Sequence, residues 1–156
     1  MSFLSVGVGA VLALALQASG STTNVETDAG AVADVCISLA TPDTEGMSED
    51  EWKAFIGCIF RETAAQIDPQ LPMKLDDTTS IVAISATGAR LNYTYVVNRA
   101  ASDFSPSQKE YIATSARKSV CGDPDMLATL NRGGSYFYRW LDRSGAVLQT
   151  ALIDRC

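Results

Sequence analysis

The 156-residue sequence contains no histidine, and that absence removes several catalytic classes at once. Ser-His-Asp and Cys-His nucleophile systems need an imidazole base, and HExxH metalloprotease helices need imidazole ligands. Cysteine is sparse as well. Cys36, Cys58, Cys121 and Cys156 are the whole set, and none forms the CxxC spacing of a zinc site. No metal and no other cofactor is expected. Basic charge is also short: 12 Lys+Arg face 18 Asp+Glu, a net charge of −6. The longest basic cluster is Arg117-Lys118, a pair and not a patch, so nucleic acid is not an expected partner.

Charge is missing altogether from residues 1–20. Val6 to Leu16 is an apolar run, followed by the small residues Ala18, Ser19 and Gly20. That is the pattern of a signal-peptide apolar region and cleavage zone, with cleavage expected after Ala18 or Gly20. The run is shorter than the roughly twenty apolar residues a spanning helix needs. A signal peptide usually carries Lys or Arg before its apolar stretch, and none stands here. An uncleaved tether to the inner membrane through residues 3–18 therefore remains beside the cleaved signal as a reading. Residues 1–20 are accordingly a signal peptide or N-terminal anchor, residues 21–30 a polar linker, and residues 31–156 one domain. The expected location is the periplasm or another exported compartment.

Four cysteines in an exported chain predict two disulfides, for which three connectivities are possible. Local structure favours one of them. Cys36 and Cys58 fall in two adjacent helical segments, while Cys121 and Cys156 close the C-terminal part. Pairing Cys36–Cys58 and Cys121–Cys156 staples each half separately, and each bridge is expected to stabilise the fold by roughly 3–4 kcal/mol.

Hydrophobic periodicity supplies the elements. Ala29 to Leu39 is a short helix candidate. Ser48 with Glu51 three residues on is a capping box, and Trp52, Phe55, Ile56, Ile59, Phe60 and Thr63 then recur at helical spacing up to Ile67. Ile81 to Ile84 and the alternating run Leu91 to Val97, joined by Thr87-Gly88-Ala89, read as a hairpin. Ser105 caps a second helix with Pro106 at its first position, broken at Gly122-Asp123-Pro124. Asp125 to Leu130 makes a short further turn. Tyr136 to Trp140 and Val147 to Ile153, joined at Asp142 to Gly145, form a second hairpin. The order is helix pair, hairpin, helix, hairpin. It predicts an α+β domain with an antiparallel sheet and helices packed on one side.

Three groups of residues are candidates for chemistry. Ser115 and Lys118 match SxxK, which sets a serine nucleophile one helical turn from a lysine base. The SDN-like and KTG-like elements that accompany it in serine acyl-enzymes are missing. Asp76-Asp77 and Glu49-Asp50-Glu51 are paired carboxylates by spacing, but the second group is accounted for by the positive end of a helix dipole. The aromatic strands are the third group. Tyr93 and Tyr95 share one strand face, as do Tyr136, Tyr138 and Trp140, with Arg139 between them. Such rings either pair across strands against the core or form an exposed Tyr/Trp/Arg surface for another protein. Asn92-Tyr93-Thr94 is also a glycosylation sequon, relevant only in a host that glycosylates exported proteins.

The segments Leu71-Pro72-Met73, Asp76 to Thr79 and Leu91 to Tyr95 resemble those of small uncharacterised bacterial exported proteins. So does the run from Cys121 through Met126, Leu130 and Gly133 to Tyr138, with Asp142, Gly145 and Cys156. The resemblance spans roughly residues 71–156. It implies an exported envelope protein and adds support for Cys121–Cys156, which bracket the shared segment. The function expected is a non-enzymatic protein-binding module or accessory subunit of a cell-envelope complex. Its partner would be another envelope protein. The alternatives are a small serine hydrolase using Ser115 and Lys118, and a membrane-anchored structural subunit.

Overall fold

The computed structural model describes Cys36 and residues 46–156. The expected export segment, the linker and the first helix candidate, apart from Cys36, lie outside the described residues.

Helix α1, Glu49–Ile67, begins where the capping box predicts it. The Ser48 N–H and hydroxyl both donate to the Glu51 carboxylate at 2.7 Å, and the Glu51 N–H donates back to Ser48 Oγ at 3.3 Å. Ile56, Phe60, Ala64 and Ile67, spaced three to four apart, form its buried stripe. A short 3-10 turn, Asp68–Gln70, ends the helix at Pro69. Strands β1, Met73–Lys74, β2, Thr79–Thr87, and β3, Arg90–Val97, follow. Helix α2, Pro106–Gly122, carries the predicted Ser105 cap and Pro106 at its first position. Helix α3, Pro124–Asn131, starts at Asp123, whose carboxylate accepts from the Asp125 and Met126 N–H groups. Strands β4, Ser135–Leu141, and β5, Val147–Ile153, close the domain.

The five strands lie in sequence order in one sheet. The class is α+β, as the pattern of elements implies. Each hairpin is antiparallel, β2 with β3 and β4 with β5, but the two hairpins join through a parallel β3–β4 pair, Tyr93 opposite Tyr138 and Tyr95 opposite Trp140. The sheet is thus mixed and not wholly antiparallel. The cause is the helical connection: α2 and α3 carry the chain back to the end where β3 began, which only a crossover of such length permits.

One sheet face is buried beneath the helices. α1 packs against β2 and β3, and α2 packs against β5. Strict alternation in β3 buries Leu91, Tyr93, Tyr95 and Val97 and leaves Asn92, Thr94 and Val96 half-buried on the other face. At the β2–β3 turn the helix and sheet approach so closely that a Cβ on Gly57 of α1 would lie 2.9 Å from the Gly88 carbonyl oxygen. Gly88 itself has φ +55, the left-handed conformation this turn requires.

Both disulfides have the pairing expected from local structure, Cys36–Cys58 and Cys121–Cys156. The second ties the end of α2 to the chain terminus just beyond β5. A buried carboxylate braces the opposite end of the hairpin. Asp142 Oδ1 accepts from the Ser144 hydroxyl, the Ser144 N–H and the Ala146 N–H, while its Oδ2 accepts from the Ala101 N–H at 3.1 Å. The Ser144 hydroxyl and these backbone donors hold the Asp142 pKa down at about 2. The β4–β5 turn is thereby fixed to the segment that leads into α2.

Candidate functional site

The five aromatic residues expected as a binding surface are brought together, but inside the domain. Tyr93, Tyr95, Tyr136, Tyr138 and Trp140 are exposed by only 0 to 9%. The Tyr93 and Tyr138 rings stack at 5.2 Å with planes 6° apart, and Tyr95 stacks on Trp140 at 5.7 Å and 16°. Tyr136 meets Phe60 of α1 at 5.6 Å. This is cross-strand pairing against the core, and it corrects the exposed-surface reading for these five residues. The physical reason is the parallel β3–β4 register, which sets the ring-bearing positions of both strands on the face the helices cover.

Burial governs the chemistry of these phenols. It pushes the hydroxyls of Tyr93, Tyr95 and Tyr138 well up and that of Tyr136 up to about 12. The Tyr138 hydroxyl makes no hydrogen bond among the described residues. Arg139, between the two ring positions, points to the opposite, exposed face.

The other candidates are not gathered into a site. Ser115 is half-buried on α2 and Lys118 is exposed, and no hydrogen bond among the described residues joins them. Asp76 accepts from the Thr78 N–H and hydroxyl and from the Thr79 N–H, shaping the turn into β2. Partial burial would raise its carboxyl, but these donors hold it below its ordinary value. Glu49 pairs with Lys53 and Glu51 belongs to the helix cap. The Asn92 amide of the sequon donates to Ser85 and Thr87 on β2. Among the described residues no cluster of acidic or cysteine side chains is placed to hold a metal ion.

The open surface lies where no motif points. Among the described residues β5 ends the sheet, and its run Val147 to Ile153 contains no charged residue. Val147 and Leu152 are 60% and 47% exposed. Between this edge and α2 runs a shallow groove of about 270 Å³, walled by Ala113, Thr114 and Arg117 on the helix and Thr150 to Ile153 on the strand. Arg117 donates to the Arg155 carbonyl at 2.6 Å and makes no ion pair among the described residues. Thr150 gives its N–H to the Gln149 side-chain oxygen at 3.0 Å, and the Gln149 amide donates to the Lys109 carbonyl at 3.0 Å. Gln149 thus ties β5 to the first turn of α2.

No family model and no curated protein matches the chain. Solved structures share its fold. The pilotin EpsS of the Vibrio vulnificus type 2 secretion system is similar with a TM-score of 0.56 at 14% identity, over 66% of this chain and 91% of that one. A Pseudomonas aeruginosa protein assigned as secreted is similar with a TM-score of 0.57 at 15% identity, over 70% and 96%. The type II secretion system pilotin AspS of Vibrio cholerae is similar with a TM-score of 0.52 at 21% identity, over 66% and 92%. At such identities the likeness is one of fold.

Proposed function

We propose that the chain is an exported accessory subunit of a cell-envelope complex, with a role like that of a type II secretion pilotin and without enzymatic activity. The observation that carries this reading is the shared fold. The likeness takes in 91%, 96% and 92% of three chains, of which two are secretion-system pilotins and the other is a protein assigned as secreted. The two disulfides support export, since such bonds form and persist in oxidising compartments. The lack of a nucleophile–base pair at Ser115 and Lys118 favours binding over hydrolysis. The apolar segment at residues 3–18 is either removed on export or retained as a tether. Among the described residues no helix is long and apolar enough to cross a membrane.

Tagged protein isolated from native envelopes tests the reading. The expected result is a stoichiometric complex with one larger envelope protein, stable through size exclusion and lost when both disulfides are reduced. A chain that stays alone, or that reacts with a serine-directed probe in a manner abolished by Ser115→Ala, contradicts it. Intact mass of the same sample reports the export segment: a loss of about 18–20 residues is the mark of signal-peptide cleavage.

A further inference from the structure

We infer that the groove between α2 and the open edge of β5 takes up an extended, acidic segment of the partner, which adds as a sixth strand to the sheet. The inference rests on the accessory-subunit reading and names the surface through which that role is carried out. Three observations lead to it.

First, among the described residues no further strand pairs with the β5 edge. Sheet edges are ordinarily protected by charge, proline or a covering element, and β5 has no Lys, Glu or Pro over seven residues. Its Thr150 N–H is held by the neighbouring Gln149 side-chain oxygen, which a guest carbonyl would displace. By the alternation of an antiparallel ladder, the backbone groups of Leu152 face the same open side. Second, the groove has the shape that strand addition needs: a strand edge on one wall and a helix on the other. Ala113 and Thr114 are small, so an incoming backbone can lie close to β5. The exposed Leu152, on the sheet face away from α2, offers an apolar contact to a guest side chain on that face. Third, the charge has one sign. Arg117 is the one charged residue on the groove walls, and its guanidinium donates to the Arg155 carbonyl without pairing with a carboxylate among the described residues. A carboxylate on the guest complements it. A second copy of this chain does not, because two-fold pairing of β5 brings α2 beside its twin, and α2 carries Lys109, Arg117 and Lys118 against the single carboxylate of Glu110.

The test uses the purified, exported protein with both disulfides formed, labelled with nitrogen-15 and titrated with the peptide acetyl-Thr-Val-Glu-Val-Thr-Val-amide. The expected result is a saturable shift of the Thr150, Leu152, Ala113 and Thr114 amides, with slowed exchange at Leu152. Methylating alternate backbone nitrogens of the peptide abolishes it. Arg117→Glu, on an exposed helix face, weakens binding roughly fivefold and removes its salt dependence, the scale of one exposed ion pair. Thr150→Pro, which places a ring on the open edge, eliminates binding, and unfolding of that variant leaves the Arg117→Glu result decisive. Unmoved β5 amides, or equal binding of the methylated peptide, overturn the proposal. So does a wild-type dimer that Thr150→Pro turns into monomer, which assigns the edge to a second copy. An envelope partner bound by folded Thr150→Pro as tightly as by the wild type overturns the docking site and leaves the accessory role standing. Failure to capture any partner with the wild type removes the role itself.

Discussion

The inner face of the sheet and its β5 edge make opposite use of their residues. The inner face concentrates Tyr93, Tyr95, Tyr136, Tyr138 and Trp140, the residue types that dominate protein-binding hot spots, and seals them beneath helices. The edge consists of Val, Leu, Gln, Thr, Ala, Leu and Ile, a run with no recognisable motif, and leaves two of its apolar side chains in solvent. Residue type alone does not separate core from interface, because a tyrosine satisfies both. What separates them is which face the helices cover and which strand ends the sheet.

Energetics should divide the same way. Tyr136→Ala removes a fully buried ring packed on Phe60 and is expected to cost about 3–5 kcal/mol, measured by urea unfolding. A cost below about 1 kcal/mol, typical of an exposed site, would show that the ring is not part of the core. Cys121→Ser with Cys156→Ser opens a sequence separation of 35 residues beside the edge and is expected to cost roughly 3–4 kcal/mol in the same assay. Tyr138→Phe deletes a buried hydroxyl with no partner among the described residues. It should change stability by less than about 1 kcal/mol, in the stabilising direction. Leu152→Thr on the open edge should fall within about 0.5 kcal/mol of the parent.

Acid supplies a further test, at the Asp142 brace. Its folded pKa, near 2, is below the ordinary 3.8. The stabilisation it gives is therefore complete above about pH 4 and is lost as pH falls toward 2. A melting temperature followed from pH 6 to pH 2 should decline less steeply for Asp142→Asn than for the parent, because the variant has no carboxylate to protonate. Identical slopes would show that the four donors around Asp142 do not stabilise its charged form.

Much of the local structure could be read from the chain because its signals are short-range. Ser48 with Glu51 and Ser105 with Pro106 mark helix starts by the geometry of one turn. Gly88 and Gly145 mark hairpin turns by the backbone angles those turns demand, φ +55 and +85. The disulfide pairing followed from which elements neighbour each other. The parallel joining of the two hairpins was not legible, since alternation in Leu91 to Val97 is the same whichever way the neighbour runs. It depends on the length of the α2–α3 crossover. The two-residue strand β1 is below the length at which any period shows. The candidate site was hidden for a related reason. Arg117, Thr150 and Leu152 are far apart in sequence or unremarkable in type, and only the packing of α2 beside the sheet edge joins them. The available hint was negative: a seven-residue strand with no charge to guard it.

On the proposed docking mode the domain binds through its β5 edge while its aromatic face stays structural. Hydrogen–deuterium exchange of the protein, free and in complex with its envelope partner, tests it most directly. The expected result is new protection at Thr150 and Leu152 of β5 and along the facing side of α2, with Tyr93, Tyr138 and Trp140 equally protected in both states. Unchanged exchange along β5, with the change falling instead on the strands that carry those rings, would contradict it.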